Sequence, residues 1–482
     1  MESPRGTAAA SPHRSAVRRA AAIVTAALVA GIAIRCALIV VAPRYGFLGD
    51  HADYVCWGRQ AVSRGVLDLY RTSPSTCPTI VYPSGGEAQI FNTGSNQRLN
   101  YPPLAAYVFW GAGRTLAAID PPQTANTVAS RAVYAITTSV AELVTAVGAA
   151  ALVGLYAGAT VAASAFALTF LAPPLLADGP FWGQTEAWIL APAVWMVWAM
   201  ARERWLLAGA LWGVALALKP SGLLFAPVWA YAFLFRTRRA RVLLGGVAAA
   251  LVVNAAALPF WLSSGAAWLQ ASYLANYVYD LHWTTMLTFN VWYIDLLLTE
   301  RIDSRAPLLG LPRDLWGTGL LVLGILGAFA LARRWERRHP QRSRLGVLPL
   351  ATLVTLAAVN LPTRVHGTYT AFMAPFVICT AFLVPRAWPG AAAILVTATL
   401  QILSWQWGHL LAVHVLPNEN QLPPARYAER RALRARDRPR EWALTLASLG
   451  AAAAVSGAVA TARARPEEME GDSGAATRGA PG

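Results

Sequence analysis

Acidic and imidazole side chains are scarce in this chain, and a group of them falls close together. GDHADY, residues 49–54, puts Asp50, His51 and Asp53 within four positions, and Glu87 and Arg98 follow in the same interval between two apolar runs. A carboxylate so placed can take a proton from a hydroxyl, and nearby cations can hold an anionic group. A polar island between two spanning segments is where chemistry at a membrane surface is expected.

Three further polar stretches interrupt apolar sequence. DGPFWGQTE, residues 178–186, offers Asp178 and Gln184, each of which could instead cap a helix. YDLHW and TFNVWY offer His282, Asn290 and Trp292. His282 reads first as a loop histidine, and Trp182, Trp283, Trp292 and Tyr293 read first as an interfacial aromatic belt. PTRVHGTY, residues 362–369, brings Arg364 and His366 beside a span, and NYPPL, residues 100–104, places Tyr101 where the first loop closes. Lys219 is the single lysine among 40 basic residues. It sits in LALKPSGLLFAP at a helix break made by Pro220 and Gly222, where it either snorkels to the interface or directs a cation at an anionic head group.

The elements that must position these residues follow from composition. Hydrophobic residues make up 56% of the 482 and charged ones only 13%. The mean hydropathy is +0.43, which excludes an ordinary soluble globular protein. Repeated apolar runs of spanning length imply an all-α polytopic membrane protein, and nothing alternates as a transmembrane barrel would. The net charge of +16 comes from arginines clustered in short loops and tails beside apolar segments. That pattern reads as positive-inside topology and not as nucleic-acid binding, for which no motif is present.

In chain order, residues 1–19 form an arginine-bearing cytoplasmic tail, and residues 20–42 a retained first helix whose Arg35 either snorkels or faces the polar site. Residues 43–101 make a large extracytoplasmic loop. Its part from 52 to 69, with Tyr54, Trp57, Ala61 and Val62 at helical spacing, predicts an amphipathic helix on the membrane surface; the rest is turn sequence. Candidate spans are 103–119, 132–154, 155–177, 185–201, 205–219, 221–235, 242–262, 314–332, 345–361, 368–384, 390–410 and 441–460, with a shorter piece at 286–299, for about 12–14 helices in all. The arginine runs at 236–241 and 333–344 mark the cytoplasmic side. Counting forward delivers Asp178 to the cytoplasm while counting back from Arg236 puts it outside, so one early segment must be re-entrant or doubled. Residues 20–416 form the transmembrane domain, 417–440 an arginine-rich connector, 441–460 a last hydrophobic helix and 461–482 a disordered tail. Of the four cysteines, Cys36 and Cys379 belong to apolar segments and read as core, while Cys56 and Cys77 share the first loop and could pair.

The order GD, aromatic helix, NYPPL, DGPFWGQ, LKPSGLLFAP, FNVWY, VHGTY resembles the GT-C superfamily of integral membrane glycosyltransferases. It is most similar to the glucosyltransferases of asparagine-linked glycosylation and their bacterial relatives, over roughly residues 20–385. The resemblance implies transfer of a hexose or pentose from a polyprenyl-phosphate sugar, with inversion, to a glycan, lipid or protein acceptor. The site would lie on the outer face of a multi-pass protein of the inner (plasma) membrane. It aligns Asp50 with the catalytic carboxylate. Asn100 stands where the family often has Asp, and Gly367 follows His366 where it often has Glu.

The physical case runs in parallel. An acceptor hydroxyl needs a general base, for which Asp50 is the candidate, and a lipid-phosphate leaving group needs fixed cations, which Lys219, Arg364 and His366 could supply. Asp53, Tyr101, Asp178, Gln184, His282, Asn290 and Trp292 are the candidates for holding acceptor or sugar. No cofactor is required, and no metal-ligand spacing is present, though a divalent metal stays open if Asp50, Asp53 and Asp178 converge. A transporter or flippase of lipid-linked saccharides, or a non-catalytic envelope scaffold, is the rival reading. No internal repeat of the kind a transporter shows is found.

Overall fold

A computed structural model describes residues 12–47, 49–71, 80–81, 87–88, 99–236, 239–275, 282–286, 288–301, 303–406 and 424–463. Arg98, Cys77 and most of the turn-rich part of the first loop lie outside them, as do the last residues of the chain. Apolar sequence has one economical solution in lipid, the helix, because its backbone groups pair within the segment. Among the described residues, eight helices are long and apolar enough to cross a membrane: Arg14–Tyr45, Val128–Val153, Ala159–Trp182, Arg239–Ser264, Arg313–Arg338, Pro340–Asn360, Pro385–Ser404 and Asp437–Thr461. Four shorter apolar helices accompany them: Glu186–Ala201, Trp205–Leu218, Pro220–Phe235 and Gly367–Leu383. Strands among the described residues are limited to two short antiparallel pairs, Ile80–Val81 with Glu87–Ala88 and Pro307–Leu308 with Leu311–Pro312.

The counting conflict resolves at Pro103–Ile119. This helix forms over the expected residues but is not among the segments that meet the crossing criteria. With it left uncounted, forward and backward walks agree, and the ends near residues 45, 182, 219 and 366 fall on one side. The opposite end gathers the arginines. There Arg236 and Arg333 both reach Glu336, at 2.7 and 3.2 Å, and Arg344 reaches Glu203 at 3.2 Å.

Burial sorts the helices into shells. Glu186–Ala201 is buried on nearly every side, and 83% of the apolar window of Pro340–Asn360 is inside the protein, so these two form the centre. Val128–Val153, Trp205–Leu218 and Arg239–Ser264 surround them and present large apolar residues outward, Leu206, Leu251 and Leu262 among them. Trp205–Leu218 and Arg239–Ser264 pack backbone to backbone. A β-carbon on Gly209 would collide with the Gly245 backbone, and one on Gly213 with Ala249, so small residues four apart set the approach.

Several expectations change here. Gly49–Arg64 starts earlier than the sequence pattern suggested and is largely buried, from Gly49 through Ala61, because Pro103–Ile119 packs along it; it does not lie as an open amphipathic helix. Arg35 does not snorkel. It is buried, and its guanidinium donates to Glu142 Oε2 from Nε at 2.9 Å and from Nη2 at 2.5 Å while lying over the Phe170 ring. Pairing in a low-dielectric interior offsets the cost of burying both charges. Cys379 is buried as expected, but Cys36 is exposed on the first helix. Cys56 is disulfide-bonded. One helix, Pro424–Thr461, runs through both the arginine-rich connector and the last apolar run.

Candidate active site

Asp50 enters the structure on the first turn of Gly49–Arg64, directly after the first spanning helix. Its two hydrogen-bond donors come from DGPFWGQ. This stretch is wound as a wide turn, Ala177–Trp182, and the chain then reverses at Gly183, whose φ of 96° is a conformation glycine adopts without strain. A side chain there would also press on Arg131 and His51. The turn is held by the Asp178 carbonyl, which accepts from the backbone N–H of both Gly183 and Gln184. Arg131 braces it by donating to the Trp182 carbonyl at 2.9 Å and the Phe47 carbonyl at 2.7 Å.

The result is an asymmetric carboxylate. Trp182 Nε1 donates to Asp50 Oδ2 at 2.9 Å and Gln184 Nε2 to the same oxygen at 2.5 Å. Among the described residues Oδ1 receives no hydrogen bond, and Asp50 is only half-buried. Burial pushes its pKa above the usual carboxylate range, against the Trp182 hydrogen bond and the positive charge of Lys219. One oxygen is anchored, the other takes no hydrogen bond among the described residues, and the group has more basicity than a solvated aspartate. That is the disposition of a general base.

Beneath it lies a polar layer. Lys219 caps the break between Trp205–Leu218 and Pro220–Phe235 and is buried at 6% exposure, so it does not snorkel. Its Nζ donates to Glu186 Oε2 at 2.6 Å and sits 5.5 and 5.6 Å from the ring centres of Tyr101 and Tyr369. Glu186 Oε1 accepts from the Thr368 hydroxyl at 3.2 Å, which ties the start of one central helix to PTRVHGTY. The Tyr101 hydroxyl meets that of Tyr54 at 2.9 Å, and Tyr54 donates onward to Gln184 Oε1 at 3.0 Å. This fixes which end of the Gln184 amide faces Asp50.

His366 stands edge-on to Trp182 with ring centres 5.9 Å apart. Its Nδ1 lies 2.8 Å from the Thr368 hydroxyl and 3.2 Å from the Thr368 backbone nitrogen, so Thr368 orients the ring. Burial, with Lys219 nearby, pushes its pKa down to about 3. His366 is therefore neutral at working pH and brings no positive charge, a correction to its expected role as a cation. Arg364, at a φ of 61°, donates to Asp314 Oδ2 at 2.8 Å and to Ser304 Oγ at 3.2 Å, so its charge is already shared with the first turn of Arg313–Arg338.

The remaining candidates divide. Asp53 is buried one turn along from Asp50, and Asp178 is buried within electrostatic reach of Glu186, Lys219, Glu142 and Asp50, with its Oδ1 lacking a hydrogen-bond partner among the described residues. Neither Asp178 nor Gln184 caps a helix through its side chain. Asn290 does cap one, accepting from the Trp292 backbone N–H, and its amide donates to the Pro362 carbonyl at 3.2 Å. Trp292 Nε1 donates to the Leu361 carbonyl at 2.7 Å, and His282 contacts Arg305. These residues shape the wall on which His366 rests: Met286 pairs with the 365–367 backbone in a short ladder. Trp182, Trp292 and Tyr293 are buried, which removes them from an interfacial belt.

Glu186, Thr368 and Tyr369 were missed from the sequence, and Trp182 was noted only for the belt. One signal was available for Glu186: a carboxylate opening an otherwise apolar run requires a buried partner, and the chain's single lysine was at hand.

Comparison with known proteins adds a family. The pattern described as glycosyltransferase family 87 matches residues 99–362, more than half of the chain, a span that includes Tyr101, Gln184, Glu186 and Lys219 but begins after Asp50. No curated protein matches the sequence. Among solved structures, the chain is similar to the Archaeoglobus fulgidus oligosaccharyltransferase tethered to an acceptor peptide, at 12% identity and a TM-score of 0.39 over 93% of this chain. It spans 58% of that protein's length.

Proposed function

The chain belongs to glycosyltransferase family 87, in keeping with its resemblance to the GT-C membrane glycosyltransferases, and on that premise we propose that it transfers a hexose or pentose from a polyprenyl-phosphate sugar to a glycan, lipid or protein acceptor, with Asp50 as general base. The observation that carries this reading is the Asp50 carboxylate, held on Oδ2 by Trp182 and Gln184 with Oδ1 unclaimed among the described residues.

In the proposed step the acceptor oxygen attacks the anomeric carbon from the face opposite the phosphate. The acceptor proton passes to Asp50 Oδ1 as the new C–O bond forms, and the bond to phosphate oxygen breaks with its electron pair leaving on the lipid phosphate. A single in-line displacement inverts the anomeric centre. Lys219 and Arg364 supply positive charge and His366 a neutral polar ring toward the departing phosphate, while Tyr101 and Asp53 face the acceptor side. A phosphate leaving group needs no general acid, which suits a site with one basic carboxylate. The arginine-rich end supports an inner-membrane orientation with the Asp50 end outside the cytoplasm.

The test is transfer by the purified full chain from radiolabelled polyprenyl-phosphate sugars, with product configuration read by NMR. Asp50→Asn retains an acceptor for Trp182 and Gln184 but loses basicity, so transfer falls about 10²- to 10⁴-fold with donor binding little changed. Asp53→Asn is the matched control. Near-normal transfer by Asp50→Asn removes the assignment.

A further inference from the structure

At the end of the bundle opposite Asp50 lies a cavity of about 180 Å³, lined by Trp335, His339, Arg342, Arg386 and Arg463 with an apolar wall at Leu383 and Val384. Three guanidinium groups converge there, and no carboxylate is among the described residues that line it. The floor is rigid: the His339 ring stacks on Trp335 at 4.5 Å, and Arg338 donates to the Ala460 carbonyl at 2.8 Å, which fixes the end of the last helix beside it. Arg386 and Arg463 are exposed at the rim and Arg342 is half-buried.

A concavity lined by one sign of charge focuses its field and raises the local concentration of anions. Pockets for whole small molecules run roughly 300–1,000 Å³, so this one suits a compact charged group whose remainder lies outside. Arginine's planar fork fits tetrahedral oxyanions, and Leu383 and Val384 of the apolar wall lie at the end of the apolar helix Gly367–Leu383. We propose that this cavity binds the phosphate of an anionic phospholipid head group in the leaflet opposite the catalytic site.

The experiment is a titration of the detergent-solubilised full chain with phosphatidylglycerol and with phosphatidylcholine, followed by native mass spectrometry. The expected result is one phosphatidylglycerol held in preference to phosphatidylcholine. Arg386→Gln with Arg463→Gln, both exposed and checked for an unchanged melting temperature, weakens it about tenfold or more. Arg239→Gln with Arg241→Gln, exposed at the same end but away from the cavity, leaves it unchanged. Equal retention by the first pair, or equal loss with the second, overturns the proposal. Displacement by inorganic phosphate at comparable concentration overturns the lipid assignment in favour of a free phosphate.

Discussion

Replacing Gln184 with alanine tests the proposed base through its anchor. The Gln184 amide is 2.5 Å from Asp50 Oδ2, and the Tyr54 hydroxyl holds its other end. Hydrogen bonds from Trp182 and Gln184 favour the ionised carboxylate, while burial disfavours it and prevails. A charge-assisted hydrogen bond contributes about 1.5 to 3 kcal/mol. Because Asp50 is half-buried, water replaces part of this, and the lower end applies. At about 1.36 kcal/mol per pH unit, the Asp50 titration should move up by about one unit. A base must be ionised, so kcat/KM rises with pH through that titration. The wild-type midpoint is expected above about 4, the ordinary aspartate value, and the Gln184→Ala midpoint higher still. His366 titrates near 3 and is neutral above, so it does not generate this limb. Tyr54→Phe frees the amide to rotate and should give a smaller shift of the same sign. The assay is kcat/KM against pH on purified variants. A limb that stays in place or moves down in Gln184→Ala refutes the reasoning.

Glu186→Gln leaves the buried Lys219 charge uncompensated and should cost about 3 to 5 kcal/mol of stability, much of it recovered with Lys219→Met, as thermal melts in detergent will show. Lys219→Ala and Arg364→Ala should raise the donor KM about tenfold to hundredfold, against little change for the acceptor; unchanged donor kinetics would detach these residues from the phosphate. Leu309→Cys, in a cysteine-free background, should react with an impermeant thiol reagent in intact cells and Arg334→Cys only after permeabilisation, since Leu309 is exposed near the Asp50 end and Arg334 lies at the arginine end. Transfer is expected to persist in EDTA, because Lys219 and Arg364 can stabilise a phosphate without a metal; full loss restored by magnesium or manganese would refute this.

Helix existence was legible because lipid makes the apolar run itself the signal; bounds were less so, since Pro12–Tyr45, Arg313–Arg338 and Pro424–Thr461 all run well past the apolar stretches expected at 20–42, 314–332 and 441–460. The polar stretches were legible as members of one site for the same reason: charge beside an apolar segment needs a partner. Pairings were not. That Gln184 faces Asp50 and does not cap a helix depends on a six-residue wide turn and the left-handed Gly183, neither of which has a periodic signature. The fate of Arg35 was open because its partner, Glu142, is 107 residues away on a helix whose sequence gives no direction. Pro103–Ile119 formed as expected, and its place in the count turned on its length of 17 residues and its composition.

The contacts that complete the site are also a statement about biogenesis. Asp50 reaches its anchors 132 and 134 residues downstream, and Glu186 reaches Thr368 across another 182. During synthesis Asp50 is therefore made well before its anchors and stays unsupported through several insertion events. The layer beneath it closes only when residues near 368 emerge. A nascent chain stalled earlier carries Asp50 without its bracing, so the polar layer is completed late, with the near-complete bundle.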